Sequence, residues 1–147
     1  MDKTITFVTN QYSCDRIIYA AKEVADRSHT ELVVVEILDS EYELNPPAVD
    51  YLFKASKRNG ATMRMLFTED KTKSMLEVIS QYDCKHIVTG MPDSNKSVLY
   101  AVWKIFPEKS FYAVDQNGNA VEMAGDAPAV KGPAGDTETA LRQSFAV

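Results

Sequence analysis

The chain of 147 residues is long enough for one domain plus a tail, and with hydrophobic residues at 45% it can bury a core without disulfide staples. A net charge of −5 argues against a nucleic-acid partner, which would usually meet a basic face, but leaves room for a small anion held by a few local donors. The two cysteines, Cys14 and Cys84, form no CxxC motif, and with no signal peptide and no apolar run near ~18 residues the expected setting is the cytoplasm, with no membrane contact.

Taken in order, residues 5–9 (ITFVT) form a short β-rich run. Residues 10–13 make a polar connection. A helix is expected over 14–27, with Ile17, Ile18, Ala21, Val24 and Ala25 on its apolar side, Ser13 as N-cap and Asp15 in the first turn. Residues 32–38 (LVVVEIL) run almost without polar interruption, as a central parallel strand does. An acidic loop over 39–45 leads to Pro46 and Pro47, placed where a helix tolerates proline. Val49, Leu52, Phe53 and Ser56 trace that helix's inner face, and Asn59-Gly60 closes it.

Residues 62–67 (TMRMLF) read as a third strand. Ser74, with Glu77 at capping-box spacing, is expected to start the next helix, and Met75, Leu76, Val78, Ile79 and Tyr82 are its buried side. A fourth strand covers 86–89 and ends at Gly90. Asp93, Ser94, Asn95 and Ser97 are helix-starting residues, and Val98, Leu99, Val102, Ile105 and Phe106 then recur at helical spacing until Pro107. A fifth strand covers 111–114. Asn117-Gly118 is a strong hairpin signal, from which 120–123 returns as an antiparallel edge strand. Composition changes at Ala124. The folded domain is therefore expected over 1–123, with a Gly/Pro/Ala-rich linker and tail over 124–147, in which 137–147 is a frayed end or, as the alternative, a short helix that docks on a protein partner.

Five alternations of strand and helix define an α/β fold, a three-layer α/β/α sandwich around a five-stranded parallel sheet. Ligands in such folds sit beyond the strand carboxyl ends, where strand order reverses. Two orders are consistent with the pattern. Order 2-1-3-4-5 joins Asn10 to residues 68–70, where Glu69 and Asp70 suit a cation. Order 3-2-1-4-5 joins Asn10 to Gly90, Ser94, Lys96 and Ser97, a glycine turn, hydroxyls, a cation and a helix N-terminus that suit phosphate, and it is preferred.

The run SMLEVISQYDCKHIVTG resembles the third helix and fourth strand of universal stress proteins, and ITFVTNQYSCDRIIYAAKEVA, LVVVEILDS and EKSFYAV are similar to their first strand and helix, second strand and last strand. This resemblance implies the 3-2-1-4-5 sheet, Rossmann-like and of the adenine-nucleotide hydrolase type, and often a homodimer through the last strand. Nucleotide-binding members carry G-x2-G-x9-G-[ST] after strand four. Gly90 matches the first glycine, Asp93 stands in place of the second, and the third is absent. An acidic side chain there repels a polyphosphate unless a cation intervenes. Asn10 corresponds to the family's strand-one Asp and can hydrogen-bond a base or ribose, and Ile37 falls near the strand-two position whose backbone meets the base. The ligand implied is ATP, another nucleotide or a smaller anion.

Each candidate has a structural reading beside the functional one. Gly90 can serve the chain turn alone, Ser94 and Ser97 can be caps, and Lys96 a solvated cation. Cys14 lies at a helix N-terminus, where a thiolate is stabilised, but no resolving cysteine accompanies it. His29 and His86 have no metal-ligand spacing. Tyr100, Trp103 and Phe106 read as packing. With no catalytic set, the expectation is a regulatory binding protein rather than an enzyme. The alternative is a ligand-free interaction module acting through its edge strand and C-terminal tail.

Overall fold

The structure, a computed structural model, describes residues 2–8, 14–38, 45–91 and 98–123. Strands β1 (Lys3–Val8), β2 (Glu31–Leu38), β3 (Thr62–Phe67), β4 (Cys84–Gly90), β5 (Ser110–Val114) and β6 (Ala120–Met123) alternate up to β5 with helices α1 (Asp15–Ser28), α2 (Pro46–Arg58), α3 (Lys71–Gln81) and α4 (Val98–Ile105). They form one six-stranded sheet in the order β3-β2-β1-β4-β5-β6. The neighbours from β3 through β5 are parallel, and only β5–β6 is antiparallel, with Phe111 opposite Met123. The preferred 3-2-1-4-5 order is thus the observed one, and the 2-1-3-4-5 alternative is excluded.

The apolar run of β2 explains the layering. A strand hydrophobic on both faces needs a helix layer on each side. Val33, Val35 and Ile37 face α3 and α4, joining Met75, Val78, Ile79, Tyr100 and Trp103. Leu32 and Val34 face α1 and α2, joining Ile18, Ala21, Val24, Leu52 and Ala55. Tyr100 and Trp103 are buried packing residues, as their spacing implies. The hairpin at Asn117-Gly118 forms as expected: Gly118 takes φ +83°, and Asp115 Oδ1 accepts from the amides of Asn117 and Asn119, both at 2.9 Å.

Several boundaries differ from the sequence reading. Helix α3 begins at Lys71, not Ser74, because Asp70 adopts an extended conformation and its carboxylate accepts from Lys73 N at 3.0 Å. Ser74 then lies inside the helix. The expected cap Ser13 lies outside the described residues; Cys14 holds the N-cap position of α1 and makes no side-chain capping bond. Asn45, read as loop, caps α2 by accepting from Ala48 N at 3.2 Å. Helix α1 ends on His29 in the left-handed conformation, φ 57°, with no glycine to signal the stop. Phe53, expected on the inner face of α2, is 51% exposed, because α2 packs near β3 at the rim of the sheet and, among the described residues, no strand lies beyond to cover it. The segment 124–147 lies outside the described residues. No described helix is long and apolar enough to cross a membrane.

Candidate functional site

Strand order reverses between β1 and β4: the chain proceeds from β1 through β2 to β3 on one side and from β4 to β5 on the other. The two strands lie side by side, Ile5 beside Ile87 and Thr6 beside Val88, so their carboxyl ends stand together at the position where open parallel sheets bind ligands. Both are buried along most of their length, which fixes the position of those ends within the sheet.

Of the residues singled out from sequence, Gly90 is the last residue of β4, at this end of the sheet. It has no positive φ. A Cβ placed on it would come 3.1 Å from Ile17 Cδ1 of α1, so the missing side chain lets α1 close against β4. Ile37 lies one residue from the carboxyl end of β2, next to Leu66 of β3, with its side chain buried in the α3/α4 layer. That leaves its backbone as the only part able to meet a ligand. Asn10, Ser94, Lys96 and Ser97 lie outside the described residues. In sequence, Asn10 follows the last residue of β1 by two positions and Ser97 immediately precedes α4.

Two residues near this end were not singled out from sequence. Arg16, in the first turn of α1, packs its aliphatic stem toward the β5–β6 turn, where a Cβ on Gly118 would lie 3.5 Å from Arg16 Cγ. Its Nε is buried without a hydrogen-bond partner among the described residues. A cation in the first turn runs against the helix dipole and is the signal that could have marked it. Glu36 is fully buried in β2, between Val8 of β1 and Met65 of β3. A carboxylate inside an apolar central strand is costly to desolvate, and its place in LVVVEIL was the available clue.

The other titratable groups have structural roles. Asp15 accepts from Tyr51 OH at 2.6 Å, tying α1 to α2, and this bond raises the Tyr51 pKa. Burial pushes the Cys84 thiol up, and its Sγ donates to Ile79 O at 3.5 Å, which leaves it an unreactive core residue. Burial lowers the pKa of His86, partly opposed by the charge of Glu122; its ring lies 5.9 Å from that of Tyr112. No group of three or more metal-ligating side chains occurs among the described residues. Away from these strand ends, a groove of about 470 Å³ runs between α2 and β3, lined by Pro46, Val49, Asp50, Phe53, Met63 and Met65.

No family model matches the sequence, and no curated protein matches it. Among solved structures, a universal stress protein from Archaeoglobus fulgidus is 18% identical, covering 66% of this chain and 79% of its own, with a TM-score of 0.46. A deacetylase of teicoplanin biosynthesis, solved in complex with teicoplanin, is 9% identical, covering 97% of this chain and 84% of its own, with a TM-score of 0.53. The second likeness is one of α/β fold alone, and the first superposition is looser still.

Proposed function

We propose that this chain is a binding protein of the universal-stress type that holds a nucleotide or another small anionic ligand at the carboxyl ends of β1 and β4. The observation that carries the reading is the reversal of strand order between those two strands, the position at which open parallel sheets bind ligands. Asn10 and the backbone of Ile37 meet the base or sugar, and Gly90, Ser94, Lys96 and Ser97 meet the anionic part. Arg16 adds a positive charge at the same end of the sheet. The ligand acts in the cytoplasm by favouring one conformation of the protein over another, and no chemical step is required.

Thermal unfolding of the full chain with ATP, AMP and cyclic dinucleotides tests this. A ligand at a hundredfold excess over its Kd stabilises by about 2.7 kcal/mol, which raises the melting temperature by several degrees. Lys96→Ala is expected to reduce that rise while leaving the ligand-free melt unchanged. Absence of any rise at millimolar nucleotide would overturn the reading and leave the ligand-free interaction module.

A further inference from the structure

The sheet has two edges, and they differ in kind. β6, four residues long, lies along the outer side of β5, so pairing through β5 would require β6 to give way. β3, six residues long, pairs with β2 on one side and has no strand on the other among the described residues. Its outward amides and carbonyls form a ready template for another strand. The apolar side chains around it are also bare: Phe53 is 51%, Met65 36% and Phe67 49% exposed. Proteins usually protect such an edge with charge or proline, and β3 carries only Arg64.

From this edge we infer that a second copy of the chain pairs antiparallel along β3, extending the sheet across a two-fold axis at Met65. The surface matches itself about that axis. Met63 and Met65 line the α2 side of the strand, and Phe67 follows at the same period. With Met65 on the axis, Met63 lies beside Phe67 of the second copy, and the two Phe53 rings approach over them. On the opposite face, Arg64 then lies beside Leu66 of the second copy. Moving the axis one residue, to Arg64, would stack the two Arg64 side chains, and like charges directly opposed are disfavoured. Helix α2 carries the matching charge pattern on its groove side. Asp50 stands one turn before Phe53, and Lys57 one turn after it, with its Nζ 5.9 Å from the Phe53 ring. An antiparallel partner brings Asp50 of each copy toward Lys57 of the other. The exposed Asp50–Lys54 pair within α2, at 2.9 Å, is weak enough not to compete.

Sedimentation of the full chain over a concentration series tests the pairing, together with charge reversal and crosslinking. The chain is expected to dimerise. Asp50→Lys and Lys57→Asp alone should each weaken the dimer roughly tenfold, and the double reversal should restore it. Oxidation of Met65→Cys should give a covalent dimer, because Cα atoms across an antiparallel pair stand about 4.5–5.5 Å apart, within disulfide range. Both native cysteines are buried, so the unsubstituted chain is the blank. A chain that stays monomeric to about 1 mM, the weak end of association, would overturn the inference. So would a dimer indifferent to both single reversals, or one that Val121→Cys on β6 crosslinks while Met65→Cys does not.

Discussion

Gly90 has an ordinary negative-φ backbone, unlike Gly60 at φ +66° and Gly118 at φ +83°. Its requirement is space for Ile17 Cδ1, 3.1 Å from where a Cβ would sit. Gly90→Val is therefore expected to destabilise by about 1–3 kcal/mol through overpacking. Ile17→Val removes the opposing methyl, so the double variant should be more stable than the sum of the single changes allows. A double-mutant cycle by urea denaturation measures that coupling. If Gly90 mattered only to a ligand, the cycle would show none. His86 makes a second prediction at this scale. Burial lowers its folded-state pKa below the ordinary 6.5, so near and below pH 6.5 the unfolded chain binds the proton more readily than the folded one. Stability then falls as pH drops through that value. His86→Gln should lose less stability than the unsubstituted chain between pH 7 and pH 5.5, a window above that in which the bond from Lys3 to Glu31, whose pKa it lowers from 4.5, loses its contribution.

At the scale of elements, helix starts depend on backbone conformations that residue patterns only hint at. Ser74 and Glu77 have capping-box spacing, yet Asp70 takes the position because the chain leaving β3 turns through Thr68 and reaches Asp70 while still extended. Asp70→Ala is expected to cost about 1 kcal/mol in chemical denaturation, and Ser74→Ala, inside the helix, a few tenths at most. The reverse ranking would show that the helix starts where the capping box would put it. The same limit explains His29, whose left-handed turn nothing in the local sequence announces. The strands were easier to read. LVVVEIL and the buried β4 segment are apolar enough to require cover on both faces, and Asn117-Gly118 announces its turn. The fold was legible because hydrophobic periodicity reports burial directly. Phe53 escaped because periodicity gives the direction of a helix face but not whether a neighbouring strand exists to cover it.

For the whole molecule, sheet order controls both stability and the candidate site. Strand order followed from the family resemblance and from the phosphate-suited loop, not from periodicity, which permitted two orders. The site was legible only as a place, the meeting of two strand ends. Gly90's packing role depends on how closely α1 approaches β4, and Arg16's position depends on the hairpin folding back beside α1. Neither distance is encoded in local pattern. The order also grades the sheet from centre to rim. β1, β2 and β4 are flanked on both sides and covered on both faces, so their amides open only with global unfolding. β6 is held by one short antiparallel pairing and should exchange first. Native-state hydrogen exchange is expected to show β1, β2 and β4 slowest and β6 fastest, with β3 between them at low protein concentration. The outward amides of β3 should slow as concentration rises, because an added strand would occupy them, whereas those of β6 should not change. Concentration-dependent protection confined to β6 would reverse the assignment of the two edges.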